Sequence, residues 1–175
     1  MKYRGLFARV HKQNKGVTLV EILIVVAILA IMTGAAGIGI SLLYSKDAES
    51  CAKTINTMLE SARMTSLAKN GTYFFSLDTE SRECEVEPGV KKEELPSRVT
   101  LTLSSEGSYD FSANKKIEIE FDKSTGKVKR LSADAADVDI KTVNVIRMHA
   151  ESSNGKKATV VLVTATGKHF IEYGS

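Results

Sequence analysis

The sequence predicts an α+β fold: a long N-terminal helix, membrane-spanning in its first half, packed on an antiparallel β-sheet domain. Three observations predict it. Val17 to Leu43 is an apolar run whose one charged side chain is Glu21. Beyond Ser45-Lys46-Asp47 the apolar residues keep helical spacing. From Thr72 onward the apolar period changes to two. A helix followed by many short strands is the order of an α+β domain.

The run Val17–Leu43 comes first. At 1.5 Å per residue such a helix reaches roughly 40 Å, more than the roughly 30 Å hydrocarbon core of a bilayer. Residues 1–16 precede it and hold Lys2, Arg4, Arg9, Lys12 and Lys15 with no acid. The positive-inside rule therefore places this leader in the cytoplasm and residues 44–175 outside. An ordinary secretory signal has a shorter apolar region ending at a small-residue cleavage site, such as Gly34-Ala35-Ala36. That account leaves Glu21 unexplained. A carboxylate in lipid is costly, about 2.5–3.5 kcal/mol at mid-span, so Glu21 is a functional residue by default. Pairing with a cation on a neighbouring chain is one reading; snorkelling to the interface is the other.

Gly34, Gly37 and Gly39 follow. Each weakens a helix by about 1 kcal/mol relative to alanine. They soften the segment so that it can unwind, or they let helices pack closely through Ala30/Gly34 and Ala35/Gly39.

Residues 44–70 form the outer half of the helix. Ala48, Cys51/Ala52, Ile55, Met58/Leu59 and Ala62 fall at i, i+3, i+4, i+7 spacing, an apolar stripe for a sheet to cover. Asn70-Gly71 suits a left-handed helix stop.

Residues 71–175 form the β-rich domain. Tyr73–Leu77, Val99–Leu103, Ile117–Phe121, Val143–Ile146, Thr159–Val163 and Lys168–Tyr173 read as strands. Ser124-Thr125-Gly126 and Asn154-Gly155 read as turns. Thr159–Val163 has the continuous apolar pattern of a central strand. Glu85 to Pro96 is charged and lacks a period, so it reads as a loop. Six to eight strands in one sheet are expected.

Charge narrows the partners. The formal net charge is +3 over 175 residues. Removing the five leader cations leaves 19 basic and 21 acidic side chains in residues 17–175, a balance of −2. The basic character belongs to the leader and argues little for nucleic acid. Lys156, Lys157 and Lys168 could form a basic patch for DNA, but solubilising charges are the simpler reading. Cys51 and Cys84 are the only cysteines. They would tie helix to sheet by a disulfide in an oxidising compartment, or pack as two small buried thiols.

Catalytic and metal constellations are missing from the sequence. His11, His149 and His169 are scattered. Gly126-Lys127 lacks the first glycine and the Ser/Thr of a phosphate loop. Glu93-Glu94 beside Lys91-Lys92 reads as a solvated loop. No enzyme activity, cofactor or metal is expected.

The run Lys15-Gly16-Val17-Thr18-Leu19-Val20-Glu21 with its apolar continuation resembles the N-terminal signature of type IV pilins and pseudopilins. The likeness covers about a tenth of the chain. Residues 59–77 faintly resemble the helix end of GspH/FimT-type minor pilins, with Ser66 where a small apolar residue is usual. The resemblance implies cleavage by a prepilin peptidase between Gly16 and Val17, and methylation of the new amine on Val17. This sequence has Val17 where the family more often has Phe or Met. Glu21 would become the fifth mature residue and pair with the amine of an adjoining subunit. The implied role is a filament subunit, of a pilus (fimbrium), a type II secretion pseudopilus or a DNA-uptake pilus. Implied partners are the peptidase, other pilin subunits, an inner-membrane assembly platform, and membrane lipid before assembly. The competing reading is a stand-alone, membrane-anchored binding module or adhesin, which would keep its leader and would not need Glu21.

Overall fold

A computed structural model describes the backbone of residues 18–174, and the side chains of these apart from 35–45. The leader 1–16 and the Gly16–Val17 junction lie outside the described residues. The chain divides between Gly39 and Ile40 into two compact units. One helix, α1 (Leu19–Ala68), contributes to both. Ten strands follow: β1 (Phe74–Asp78), β2 (Glu83–Glu87), β3 (Lys91–Glu94), β4 (Val99–Gly107), β5 (Lys116–Phe121), β6 (Val128–Ala133), β7 (Ala136–Val138), β8 (Val143–Ser152), β9 (Lys157–Val163) and β10 (Lys168–Gly174).

The strands form two antiparallel sheets. The first has the order β3-β2-β1-β5-β6-β7 and the second β10-β9-β8-β4. The expected single sheet is thus two, and the strands among the described residues number ten. The change of sheet comes at Leu95–Arg98, where β3 ends as an edge and β4 opens a new pairing with β8.

The helical stripe behaves as its spacing demands. Ala48, Cys51, Ala52, Ile55, Met58, Leu59 and Ala62 are all buried. Those from Cys51 onward share one core with the inner faces of both sheets, including Phe75, Ile117, Ile119, Met148 and Leu162. Full burial of Ile55, Met58 and Leu59 contributes about 1.5–3 kcal/mol each. In β5 the alternation puts Ile117, Ile119 and Phe121 inside and Glu118 and Glu120 outside. In β9, Val160, Val161 and Leu162 are all buried. Val161 lies on the outer face between its register partners Arg147 and Phe170, so a central strand is covered on both sides.

Two readings of the sequence are corrected. The charged stretch Glu85 to Pro96 is not a loop: it holds part of β2 and all of β3. Alternation was present in Glu83-Cys84-Glu85-Val86-Glu87, with Cys84 and Val86 buried, but three glutamates masked it. β3 is a short edge strand, and its charges, including the Lys92–Glu83 pair at 2.9 Å, discourage further pairing. The helix stop is different too. α1 ends at Ala68, and neither Asn70 nor Gly71 has positive φ. A Cβ at Gly71 would sit 2.8 Å from Cε2 of Tyr73, so a larger residue there would displace the Tyr73 ring.

Candidate functional site

Thr18 opens α1. Its carbonyl accepts the N–H of Glu21 at 3.0 Å and that of Ile22 at 3.3 Å. Its hydroxyl also accepts from the N–H of Glu21, at 3.2 Å. Thr18-Leu19-Val20-Glu21 therefore has the spacing of a capping box, a signal already carried by the residue types. Glu21 is an exposed carboxylate in the first helical turn, where the helix dipole favours negative charge.

The rest of this turn and the next three are apolar on every side. Each large apolar side chain from Leu19 to Met32 is at least 51% exposed, and Leu19 reaches 80%. A helix apolar all round needs a covering of lipid or other helices. Glu21 is the one ionisable group among residues 19–34. Among the described residues no helix is long and apolar enough to cross a membrane. Gly34 has open space around its Cα, with nothing within 4 Å of an added Cβ. Gly37 and Gly39 lie within the unbroken helix.

Elsewhere the structure makes Cys51 and Cys84 neighbours and separates the histidines and the lysines. Cys51 on α1 and Cys84 on β2 are both buried and both free thiols. Burial pushes each thiol up to about 12; the neighbouring Cys84 adds to the effect on Cys51, and Glu93 to that on Cys84. His149 and His169 lie on opposite faces of the second sheet, since His169 pairs with Leu162 and His149 with Thr159. Among the described residues no group of His, Cys, Asp or Glu could hold a metal ion. Lys156 and Lys157 stand at one end of β9 and Lys168 beyond the other, roughly 20 Å away at 3.3 Å per residue.

One hydroxyl–imidazole set invites a catalytic reading. Ser104 Oγ is 2.7 Å from His149 Nε2, and Thr159 Oγ1 is 2.9 Å from Nδ1. A nucleophilic pair needs its base oriented by an acid. Here a threonine hydroxyl occupies that place, on the outer face of an open sheet.

Sequence reasoning missed one constellation. Thr125-Gly126-Lys127 and Thr166-Gly167-Lys168 make matching turns, with both glycines at φ +67°. Gly126 N–H donates to Asp122 and Gly167 N–H to Val163, each at 2.8 Å. The turns touch: Val128 N–H donates to the Thr164 carbonyl at 3.2 Å. The repeated Thr-Gly-Lys was the signal that could have found them.

The start of α1 is an exposed apolar helix whose first turn is capped by Thr18 and carries one carboxylate, Glu21. Residues 11–37 match the prokaryotic N-terminal methylation motif, the prepilin signal of type IV pilins and pseudopilins. The match covers this segment alone. The motif marks a type IV pilin-like substrate of a prepilin peptidase. No curated protein and no solved structure matches the chain.

Proposed function

We propose that the chain is a structural subunit of a type IV pilus-like filament and not an enzyme. The precursor waits in the cytoplasmic membrane, held by residues 17–43 with its leader inside. Prepilin peptidase cuts between Gly16 and Val17 and methylates the amine of Val17. The apolar helix then packs with those of other subunits, drawn from lipid at an inner-membrane platform, while the β domain forms the outside of the filament. Gly34, Gly37 and Gly39 let the helix yield during that packing.

The observation that carries this reading is the exposed apolar collar Leu19–Met32 bearing a single acid. Lipid serves as cover before assembly and neighbouring helices afterwards. Glu21 lies four residues from Val17, about 6 Å along a helix. In an apolar medium a carboxylate gains most from a partner of opposite charge, and the amine freed at Val17 of the next subunit supplies one. That pairing sets the axial register.

A Glu21→Ala variant tests it. The leader should still be removed, because the cleaved bond is at Gly16. Filament recovered by shearing should fall at least about tenfold. Polymerisation equal to the parent's, with the leader removed, would overturn the pairing.

A further inference from the structure

We infer that the paired Thr-Gly-Lys turns dock on the outer face of the first sheet of a second copy of this chain. The inference rests on the filament reading and deepens it, adding a contact between β domains to the packing of helices.

The donor surface is basic and prominent. Gly167 stands so close to the other turn that an added Cβ would lie 3.3 Å from the Cα of Lys127. The two turns thus present Lys127 and Lys168 side by side, with Lys123 on the same loop as Lys127. All three are exposed, and none is in an ion pair among the described residues. The nearest loop acid, Asp122, is occupied within its own turn by Ser124 and Thr125.

The acceptor surface has complementary charge and shape. On the outer face Glu87 pairs with Phe74, and Phe74 with Glu120; beside them runs the row Glu85, Ser76, Glu118. A cavity of about 170 Å³ opens there, lined by Phe74, Glu118, Glu120, Arg130 and Ser132. Phe74 offers an apolar floor for the methylene stem of a lysine. The local cations are engaged: Lys129 with Glu120 at 2.7 Å, Lys116 with Glu118 at 2.8 Å, Arg130 with Asp137 at 2.7 Å. Glu85 lies opposite Lys92, which pairs with Glu83 at 2.9 Å, and Glu87 lies near Lys116, which pairs with Glu118. Neither Glu85 nor Glu87 is itself in an ion pair among the described residues, so the face keeps a surplus of negative charge.

The turn that carries Lys127 joins β5 to β6, and the acceptor row Glu87, Phe74, Glu120 crosses the same hairpin. The same patches paired reciprocally would close a dimer; made head to tail, as a filament requires, the contact repeats and builds a helical array. A single exposed ion pair is weak. Its value here is in fixing register and excluding wrong neighbours, repeated at every subunit.

Charge reversal and its compensation test the contact in the full chain, in cells that process and assemble it. Glu85→Lys/Glu87→Lys and Lys127→Glu/Lys168→Glu should each lower sheared filament about tenfold, with leader removal and mature subunit level unchanged. The four changes together should restore it to within about threefold. A Glu85→Gln/Glu87→Gln variant, which keeps shape, should give an intermediate loss. Filament equal to the parent's from either reversal, or no recovery on combination, overturns the contact and leaves the filament reading standing. A parent that is cut but yields no filament overturns both.

Discussion

Gly167 lies against Gly126 so closely that a Cβ on Gly167 would sit 1.9 Å from the Gly126 carbonyl oxygen. This contact joins a turn of the second sheet to a turn of the first. Gly167 also has φ +67°, a backbone region costly for other residues. Gly167→Ala should destabilise by about 3 kcal/mol or more, from backbone strain and overpacking together. Gly155→Ala is the control. Gly155 has φ +82° but open space around it, so only roughly 1–2 kcal/mol is expected. Denaturant unfolding of the two variants in detergent checks the difference; equal losses would contradict the packing role.

Arg63 locks the same junction from the helix side. Its Nε donates to the Gly126 carbonyl at 3.1 Å. One turn earlier on α1, Glu60 reaches His169 Nε2 on β10 at 3.1 Å. Two neighbouring helical residues thus hold both sheets. Arg63→Ala should cost about 1.5–3 kcal/mol, the range for a hydrogen bond to a charged group. Unfolding midpoints of Arg63→Ala and Arg63→Lys check this, with little recovery expected from lysine, which has no Nε–H at that reach.

His149 gives the domain a pH dependence. Desolvation, then Arg147 and Lys157, holds its imidazole below the usual value of 6.5, against weaker opposing effects of Glu151 and Glu172. Ser104 and Thr159 bond its two ring nitrogens. The native state keeps His149 neutral, so the unfolded chain takes up the proton first as pH falls. Its contribution is complete above pH 6.5 and is lost as pH drops through the lowered native value. Parent and His149→Gln, unfolded at pH 7.5 and 5.5, should show the steeper acid loss in the parent. Identical pH slopes would contradict the assignment.

Cys51 and Cys84, with thiols pushed up to about 12, should resist thiol reagents at pH 8 in the folded chain. Both should react once denatured. Rapid labelling of the native chain would contradict their burial. The same titration of exported protein, denatured without reductant, reads out the cross-link: a Cys51–Cys84 disulfide would leave no thiol to label.

The outer half of the helix was legible because burial and periodicity coincide. Every apolar position from Ala48 to Ala62 that the spacing selected is in the core. Strands with strict alternation, such as Ile117–Phe121, were legible for the same reason. β2 was not, because its outward glutamates hid two inward apolar residues. β3 and β7 are short and mostly exposed, so pairing rather than composition defines them. The start of α1 was legible as a special segment from one acid in an apolar run. The Arg63–Gly126 bond was not, since it joins residues 63 positions apart in the chain. The paired turns were half legible: the repeat is in the sequence, but the touch between its two copies depends on how the sheets meet.

The central claim is that α1 becomes an assembly segment only after the leader is cut away. The mass of the subunit in sheared filaments, with its N-terminal peptide sequenced, tests this most directly. The expected mature chain begins at N-methylated Val17, with Glu21 as its fifth residue. Filament subunits that retain Met1, or that begin beyond Glu21, would contradict it.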